Sequence, residues 1–135
     1  MVRGSCLCGV VQYRITCEPG KIQICHCSQC RKGQGSAFAS NIPIDKNHFE
    51  ITEGLKALKS FESPTRGGKC RVFCSECGSP VFSRLDSAPD IVRVRAGLLD
   101  VPVPLEVAHH QFVLDKADWF EISDDAPQFD AFPPK

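Results

Sequence analysis

Eight of the nine cysteines in this 135-residue chain fall into three short groups whose spacing suits metal binding. The groups are Cys6 with Cys8; Cys25 with Cys27 and Cys30; and Cys70 with Cys74 and Cys77. Thiolate sulfur is a preferred ligand of Zn²⁺, and paired cysteines a few residues apart are typical of zinc sites. The ninth cysteine, Cys17, stands alone, and we expect it to be a small buried apolar side chain.

Two of these groups each supply half of a four-thiolate site. The two residues between Cys74 and Cys77 form a tight turn that directs both sulfurs inward, and Gly78 permits a positive φ after it. Cys6 and Cys8 stand two residues apart, so in an extended segment their side chains leave from the same face. Because a closed site with four protein ligands is structural, this set predicts a metal that stabilises the fold.

The segment from Cys25 to Cys30 offers three thiolates within six residues and leaves a fourth ligand position unfilled locally. Zinc with three protein ligands and one exchangeable position is the usual catalytic arrangement. A closed site with four protein ligands is the alternative. Cys70 would complete it if its sulfur reached this metal as the fourth ligand. Spacing alone therefore leaves two alternatives, an enzyme and a metal-stabilised binding module without catalysis.

Short runs of alternating apolar and β-branched residues predict that these cysteines lie on a mostly β chain. Apolar spacing of three and four persists nowhere for three turns, so no helix is predicted. Turn-forming residues over 18–20, 45–47, 63–68 and 87–90 separate the strands, and three prolines predict an irregular tail over 123–135 of a single domain 1–135. The predicted strands are 10–16, 22–25, 36–42, 49–52, 56–61, 69–73, 81–84, 91–96 and 105–110.

Composition limits the partners and the location of the chain. Sixteen basic and sixteen acidic side chains give a formal net charge of zero, which argues against nucleic-acid binding through excess Lys and Arg. No run approaches the roughly twenty apolar residues of a membrane span, and the first residues lack the apolar core of a signal peptide. We therefore expect a cytoplasmic protein that binds neither nucleic acid nor membrane and keeps its cysteines reduced.

The three cysteine motifs appear in a specific order. Residues 4–13 read Gly-Ser-Cys-Leu-Cys-Gly-Val-Val-Gln-Tyr, residues 25–32 read Cys-His-Cys-Ser-Gln-Cys-Arg-Lys, and residues 73–82 read Phe-Cys-Ser-Glu-Cys-Gly-Ser-Pro-Val-Phe. This order resembles the glutathione-dependent formaldehyde-activating enzyme family, and the resemblance continues to the region around Trp119 and Phe129. It implies an Mss4-like single domain of several short antiparallel strands, held together by a structural zinc.

The resemblance also implies an activity and two zincs per chain. The family joins formaldehyde to glutathione as S-hydroxymethylglutathione, formally a carbon–sulfur lyase reaction in reverse. Cys17 and Cys70 match no ligand position of the family. The positions that match are Cys6, Cys8, Cys74 and Cys77 for the structural zinc, and Cys25, Cys27 and Cys30 for the catalytic zinc.

Two further residues carry expectations about the site and the tail. Arg31 directly follows the last thiolate of the second group, where its charge would offset the thiolates and orient a carboxylate-bearing thiol; with the three cysteines it forms the predicted catalytic set. The alternative for Arg31 and Lys32 is a solvated basic pair. Trp119 is expected to anchor the tail on the core, because a single indole usually buries its ring.

Overall fold

The computed structural model describes residues 1–63 and 68–134 and confirms a mostly β fold. Within these residues, no helix is long and apolar enough to cross a membrane. One α-helix and ten strands are present in the described ranges. They are β1 (Val2–Ser5), β2 (Gln12–Ile15), β3 (Ile22–Cys25), α1 (Ser28–Gln34), β4 (Ala39–Asp45), β5 (Phe49–Glu53), β6 (Leu58–Ser63), β7 (Lys69–Cys74), β8 (Pro80–Leu85), β9 (Ala88–Arg95) and β10 (Val107–Gln111).

The strands form two sheets. The smaller has the order β1-β2-β5, and the larger has the order β10-β3-β4-β9-β8-β7-β6. Among the ten strands the expected antiparallel pairing is found with one difference: β10 pairs with β3 in parallel. This pairing places β10, the last strand, beside the strand that leads into the second cysteine group.

The hydrophobic core lies where the two sheets contribute buried side chains to one cluster. The smaller sheet supplies Tyr13 and Ile15, and the larger supplies Ile42, Val81 and Val94, all at most 1% exposed. These residues lie at alternating positions of their strands, as expected when one face of a strand is buried. Cys17 is half-buried and packs against the same cluster, close to the expectation for it.

The sequence patterns missed two elements, strand β1 and helix α1. The predicted strands begin at residue 10, so β1 (Val2–Ser5) had no counterpart among them, and α1 was not predicted as a helix. The helix has only seven residues, too few for apolar spacing to repeat over several turns. Its start is set by Cys27, whose sulfur accepts a hydrogen bond from the Cys30 amide, and its end by Gly35 in the left-handed conformation at φ 61°. Two cysteines of the second group are thus fixed by the first turn of a helix.

The turns also differ in part from expectation. The turn predicted over 87–90 is confined to residues 86 and 87, because β9 begins at Ala88 and includes Pro89. The segment 45–47 does turn, since residues 46–48 form a short 3₁₀ helix. Four residues of the turn predicted over 63–68, positions 64–67, lie outside the described residues.

The described part of the tail, 123–134, is irregular, as expected, yet it is fixed to the larger sheet. The amide of His110 donates to the Pro127 carbonyl at 2.8 Å, and the amide of Phe129 donates to the His110 carbonyl at 2.9 Å. Trp119 does not anchor it: its side chain is 73% exposed, so that expectation is wrong. The neighbouring Phe120 packs instead against the rings of His26 and Phe38.

Candidate metal centres

Four cysteine sulfurs from two distant loops come together in the first centre. The Sγ atoms of Cys6, Cys8, Cys74 and Cys77 all lie within 4.8 Å of one another. The Cys6–Cys8 sulfur distance is 3.6 Å and the Cys8–Cys74 distance is 3.9 Å. A tetrahedron with zinc–sulfur bonds of about 2.3 Å has sulfur–sulfur edges of about 3.8 Å. The donor set therefore fits a tetrahedral metal with four thiolates.

Backbone hydrogen bonds shape the loops that carry these sulfurs. The Gly78 amide donates to the Cys74 carbonyl at 2.7 Å, and Gly78 adopts a φ of 80°, which a side chain would disfavour. The Val11 amide donates to the Cys6 sulfur at 3.3 Å. The side-chain hydrogen bond between Cys77 and Ser79 is the largest cause that lowers the pKa of the Cys77 thiol to about 5, a value that favours the thiolate needed for a metal.

The second centre brings together three buried sulfurs. Cys25 lies at the end of β3, Cys27 caps α1, and Cys30 lies in its first turn; none is more than 2% exposed, and their Sγ atoms lie within 4.8 Å of one another. Within the described ranges, no fourth Cys, His, Asp or Glu ligand atom joins this group. The structure thus brings together the three cysteines that the sequence singled out and leaves a fourth position for something else.

Cys70 lies apart from both centres. It is buried on β7, and its sulfur has the Arg84 Nη2 at 3.9 Å. The neighbouring positions 69 and 71 on the same strand both contact Cys30, and successive side chains of a strand point to opposite faces. The side chain of Cys70 therefore faces away from the three-cysteine group, and the closed site considered from the sequence lacks its expected fourth ligand.

Two cations that the sequence analysis missed contact the three-cysteine group. The Lys69 ammonium lies 3.6 Å from the Cys30 sulfur and the Arg71 Nη2 lies 3.8 Å from it. Hydrogen bonds from Cys25 and Cys27 are the largest causes that lower the pKa of the Cys30 thiol, and the charges of Lys69 and Arg71 lower it further. Burial lowers the pKa of Lys69, which is 6% exposed. The sequence held a signal for this pair: Lys69 and Arg71 stand two residues apart in a predicted strand, so their side chains leave from the same face.

Arg31, the predicted catalytic cation, lies on α1 with its side chain half-buried. No hydrogen bond joins its guanidinium to a sulfur of the group among the described residues, and its buried Nε has no hydrogen-bond partner. Its backbone amide donates to the Cys27 carbonyl at 2.9 Å and so helps to form the first helical turn. The cations that contact a sulfur of the group are Lys69 and Arg71.

Two arginines, Arg93 and Arg95, lie on β9. Arg95 is 3% exposed, and its Nη1 donates to Ser83 at 3.1 Å, to the Arg93 carbonyl at 3.1 Å and to Asn41 at 2.5 Å. Burial lowers its pKa to about 10, and the nearby Cys30 thiolate opposes that shift. Arg95 is therefore held rigidly while its Nε remains without a partner.

Two imidazole rings and a carboxylate form a hydrogen-bonded chain from the three-cysteine loop to the tail. His26 is fully buried, and its Nε2 lies 2.8 Å from the Nδ1 of His110. The His110 Nε2 lies 2.9 Å from a carboxylate oxygen of Asp124. Burial is the largest cause that lowers the pKa of His26 to about 4, so its ring is neutral over most of the pH range.

Comparisons with known proteins agree on one family. The model of the family described as "Glutathione-dependent formaldehyde-activating enzyme" matches residues 1–115, a range that includes both cysteine centres. A Halomonas elongata protein named "Putative glutathione-dependent formaldehyde-activating enzyme" is 30% identical over 129 residues, which cover 90% of this chain and 81% of that protein. The crystal structure of a Rhodobacter sphaeroides protein shares the fold, with a TM-score of 0.63 at 24% identity, over 76% of this chain and 91% of that one.

Proposed function

We propose, because this chain belongs to the glutathione-dependent formaldehyde-activating enzyme family, that it joins a small thiol such as glutathione to a small aldehyde such as formaldehyde. The product would be S-hydroxymethylglutathione or a related adduct, and the same site would cleave that adduct in reverse, as a carbon–sulfur lyase. The observation that carries the proposal is the group of three buried thiols with no fourth described ligand.

Zinc is the metal that the donor chemistry favours at both centres. Soft thiolates in tetrahedral groups select zinc among the common divalent metals, and nine free cysteines suit a reducing, cytoplasmic location. Cys6, Cys8, Cys74 and Cys77 would hold a structural zinc, and Cys25, Cys27 and Cys30 a catalytic one, within one zinc domain spanning 1–135. A zinc with three thiolate ligands supplies, when bound, a fourth position at which an incoming thiol loses its proton readily.

The reaction needs no oxidant or reductant. The sulfur of the thiol forms a bond to the carbonyl carbon, the π electrons of the C=O bond move to oxygen, and the proton lost from sulfur ends on that oxygen. The contribution of the protein is to hold the thiol as an anion beside the aldehyde. Lys69 and Arg71 perform this task in our proposal, because their charges offset the excess negative charge of three thiolates.

The proposal is tested by measuring adduct exchange directly. The purified protein should contain about two zincs per chain by elemental analysis, and ¹³C-formaldehyde mixed with glutathione should exchange with its adduct faster by NMR than in buffer alone. The Cys27→Ser variant should retain one zinc and lose the acceleration, and the matched Cys17→Ser variant should keep both zincs and full activity. The retained structural zinc of Cys27→Ser shows that the variant still folds.

Two results would contradict the proposal. One is a fully zinc-loaded protein in which glutathione, and other thiols tried in its place, exchange with formaldehyde at the rate seen in buffer. The other is a protein that binds a single zinc, because the three-cysteine group would then hold no metal. Either result would favour a metal-stabilised binding module without catalysis.

A further inference from the structure

We propose that Arg71 selects thiols that carry a carboxylate, by binding that carboxylate in the cavity between α1 and β7. This inference deepens the proposed function and rests on it. Arg71 lies between the places where the thiol and the carboxylate of such a substrate would bind. Its guanidinium contacts the Cys30 sulfur through Nη2, and Arg71 also lines two adjoining cavities. Four observations carry the assignment.

The first observation is an excess of positive charge that no carboxylate of the described residues offsets. Lys69 and Arg71 lie 3.6 and 3.8 Å from the Cys30 sulfur, and Arg95 lines a cavity together with Arg71. The ion pairs found among the described residues involve other side chains. Three thiolates around a divalent ion carry one net negative charge. The total positive charge of these cations is larger than that. Buried cations are normally paired, so the positive charge in excess of the thiolates favours a bound anion.

The second observation is a set of four buried arginine donors without acceptors, on Arg31, Arg71, Arg93 and Arg95, of which two line one cavity. The Arg71 Nη1 and the Arg95 Nε are both shielded from solvent and have no hydrogen-bond partner. Buried donors are almost always satisfied in folded proteins, and each exception needs an explanation. A carboxylate accepts several hydrogen bonds and pairs well with guanidinium, so it is the acceptor that these donors lack.

The third observation is a cavity that both arginines line. It has a volume of about 230 Å³, and its other walls include Phe61, Val72, Phe73 and Phe82. A neighbouring cavity of about 290 Å³ shares Gly33, Phe61 and Arg71 with it and extends toward Lys32. Apolar walls with a few convergent charged groups are typical of small-molecule sites.

The fourth observation is the absence of a side chain at position 33 of the helix. A Cβ built on Gly33 would lie 3.0 Å from the Arg71 Nη1, closer than nearly all real contacts of that kind. Glycine here lets α1 approach the guanidinium without displacing it. The close approach leaves Nη1 beside the cavity while Nη2 stays at the Cys30 sulfur. A thiol with its carboxylate at Arg71 would thus place its sulfur near the open fourth position.

Binding of an unreactive analogue tests this assignment apart from catalysis. The probes are S-methylglutathione, which keeps both carboxylates but has no free thiol, and its diethyl ester, which has neither carboxylate. Isothermal titration of the zinc-loaded protein should show the diacid binding at least about tenfold more tightly than the ester. Arg71→Gln should weaken diacid binding about 10- to 100-fold and leave ester binding unchanged. The matched control is Arg84→Gln, an exposed arginine on β8, which should bind both probes like the wild type.

A second variant covers the case in which Arg71→Gln does not fold. Gly33→Ala favours the helix and should preserve the fold, yet its methyl group would displace Arg71 and weaken diacid binding. The inference is overturned if the wild type binds both probes equally or binds neither, or if the Arg71 and Gly33 variants bind the diacid as tightly as the wild type. Selective binding without accelerated adduct exchange would overturn the proposed function alone, whereas adduct exchange without carboxylate preference would overturn this inference alone.

Discussion

The Nε2 of His26 lies 2.8 Å from the Nδ1 of His110, so an imidazole pair connects the three-cysteine loop to the strand that carries the tail. Asp124 accepts from the opposite nitrogen of His110 at 2.9 Å. An acceptor at Nε2 fixes the proton of a neutral His110 on that atom, so Nδ1 accepts and the His26 Nε2 donates. The tail thereby sets the tautomer of the histidine between two cysteines of the second centre.

Removing the carboxylate of Asp124 should loosen the tail. In Asp124→Asn, the hydrogen bond to His110 loses its charge, so the backbone pairing beside it should open more often. We expect the Phe129 amide, which donates to the His110 carbonyl, to exchange with deuterium faster by about an order of magnitude. The matched control is Asp125→Asn, at the next exposed position. Unchanged exchange in Asp124→Asn, or an equal increase in both variants, would contradict this role.

Cys70→Ser should retain both metals. Its sulfur lies outside both groups and is directed toward Arg84, so removing it takes no ligand away. Cys30→Ser should lose one metal, because Cys30 is a member of the three-sulfur group. Elemental analysis of the two variants, with circular dichroism to confirm folding, makes the comparison. Loss of a metal from Cys70→Ser would show that the second centre is closed by a fourth cysteine.

The ammonium of Lys69 should strengthen metal binding at the three-cysteine group. Metal binding requires deprotonated thiols, and a buried cation 3.6 Å from the Cys30 sulfur favours the thiolate. In Lys69→Met, which keeps the length of the side chain, we expect zinc affinity at this site to fall about 10- to 100-fold. Competition with a chromophoric chelator measures this change. Lys59→Met, on the exposed face of β6, is the control, and equal affinities in the two variants would refute the prediction.

Tyr13 should make the fold sensitive to alkali. Burial is the largest cause that raises the pKa of its phenol above the ordinary value of 10.0. Above that pH the unfolded chain loses a proton that the folded chain keeps, so the free energy of unfolding should decrease as pH rises. Denaturant titrations at a series of alkaline pH values measure the decrease. Since Tyr13 is the single tyrosine, tyrosinate absorbance reports its ionisation directly.

Tyr13→Phe provides the matched variant for that titration. The Tyr13 hydroxyl is buried without a hydrogen-bond partner, so its removal should be neutral or should stabilise the protein by up to about 1 kcal/mol near neutral pH. The variant should also lose the part of the alkaline decrease that Tyr13 causes. If wild type and variant lose stability in parallel above the pKa of free tyrosine, another group is responsible.

Short-range features of the site could be predicted from the sequence. The spacing of Cys74 and Cys77 and of Cys25, Cys27 and Cys30 is local, and backbone geometry alone brings such neighbours together. The strand 22–25 was predicted with the observed bounds for a similar reason, because alternation over a few residues depends on no other part of the chain. Helix α1 was missed because seven residues carry too little periodic signal.

The tertiary structure alone decided which distant residues complete the site. Lys69 and Arg71 reach Cys30 because β7 turns that face toward α1, and the alternation of the strand then directs Cys70 to the opposite face. The local sequence of residues 69–74 does not determine which face of β7 packs against α1. That choice depends on the order of the seven strands in the larger sheet and on the register of β7 with β8. The sequence thus determined the ligands that chain neighbours supply, and the packing of the sheet determined the charges around them.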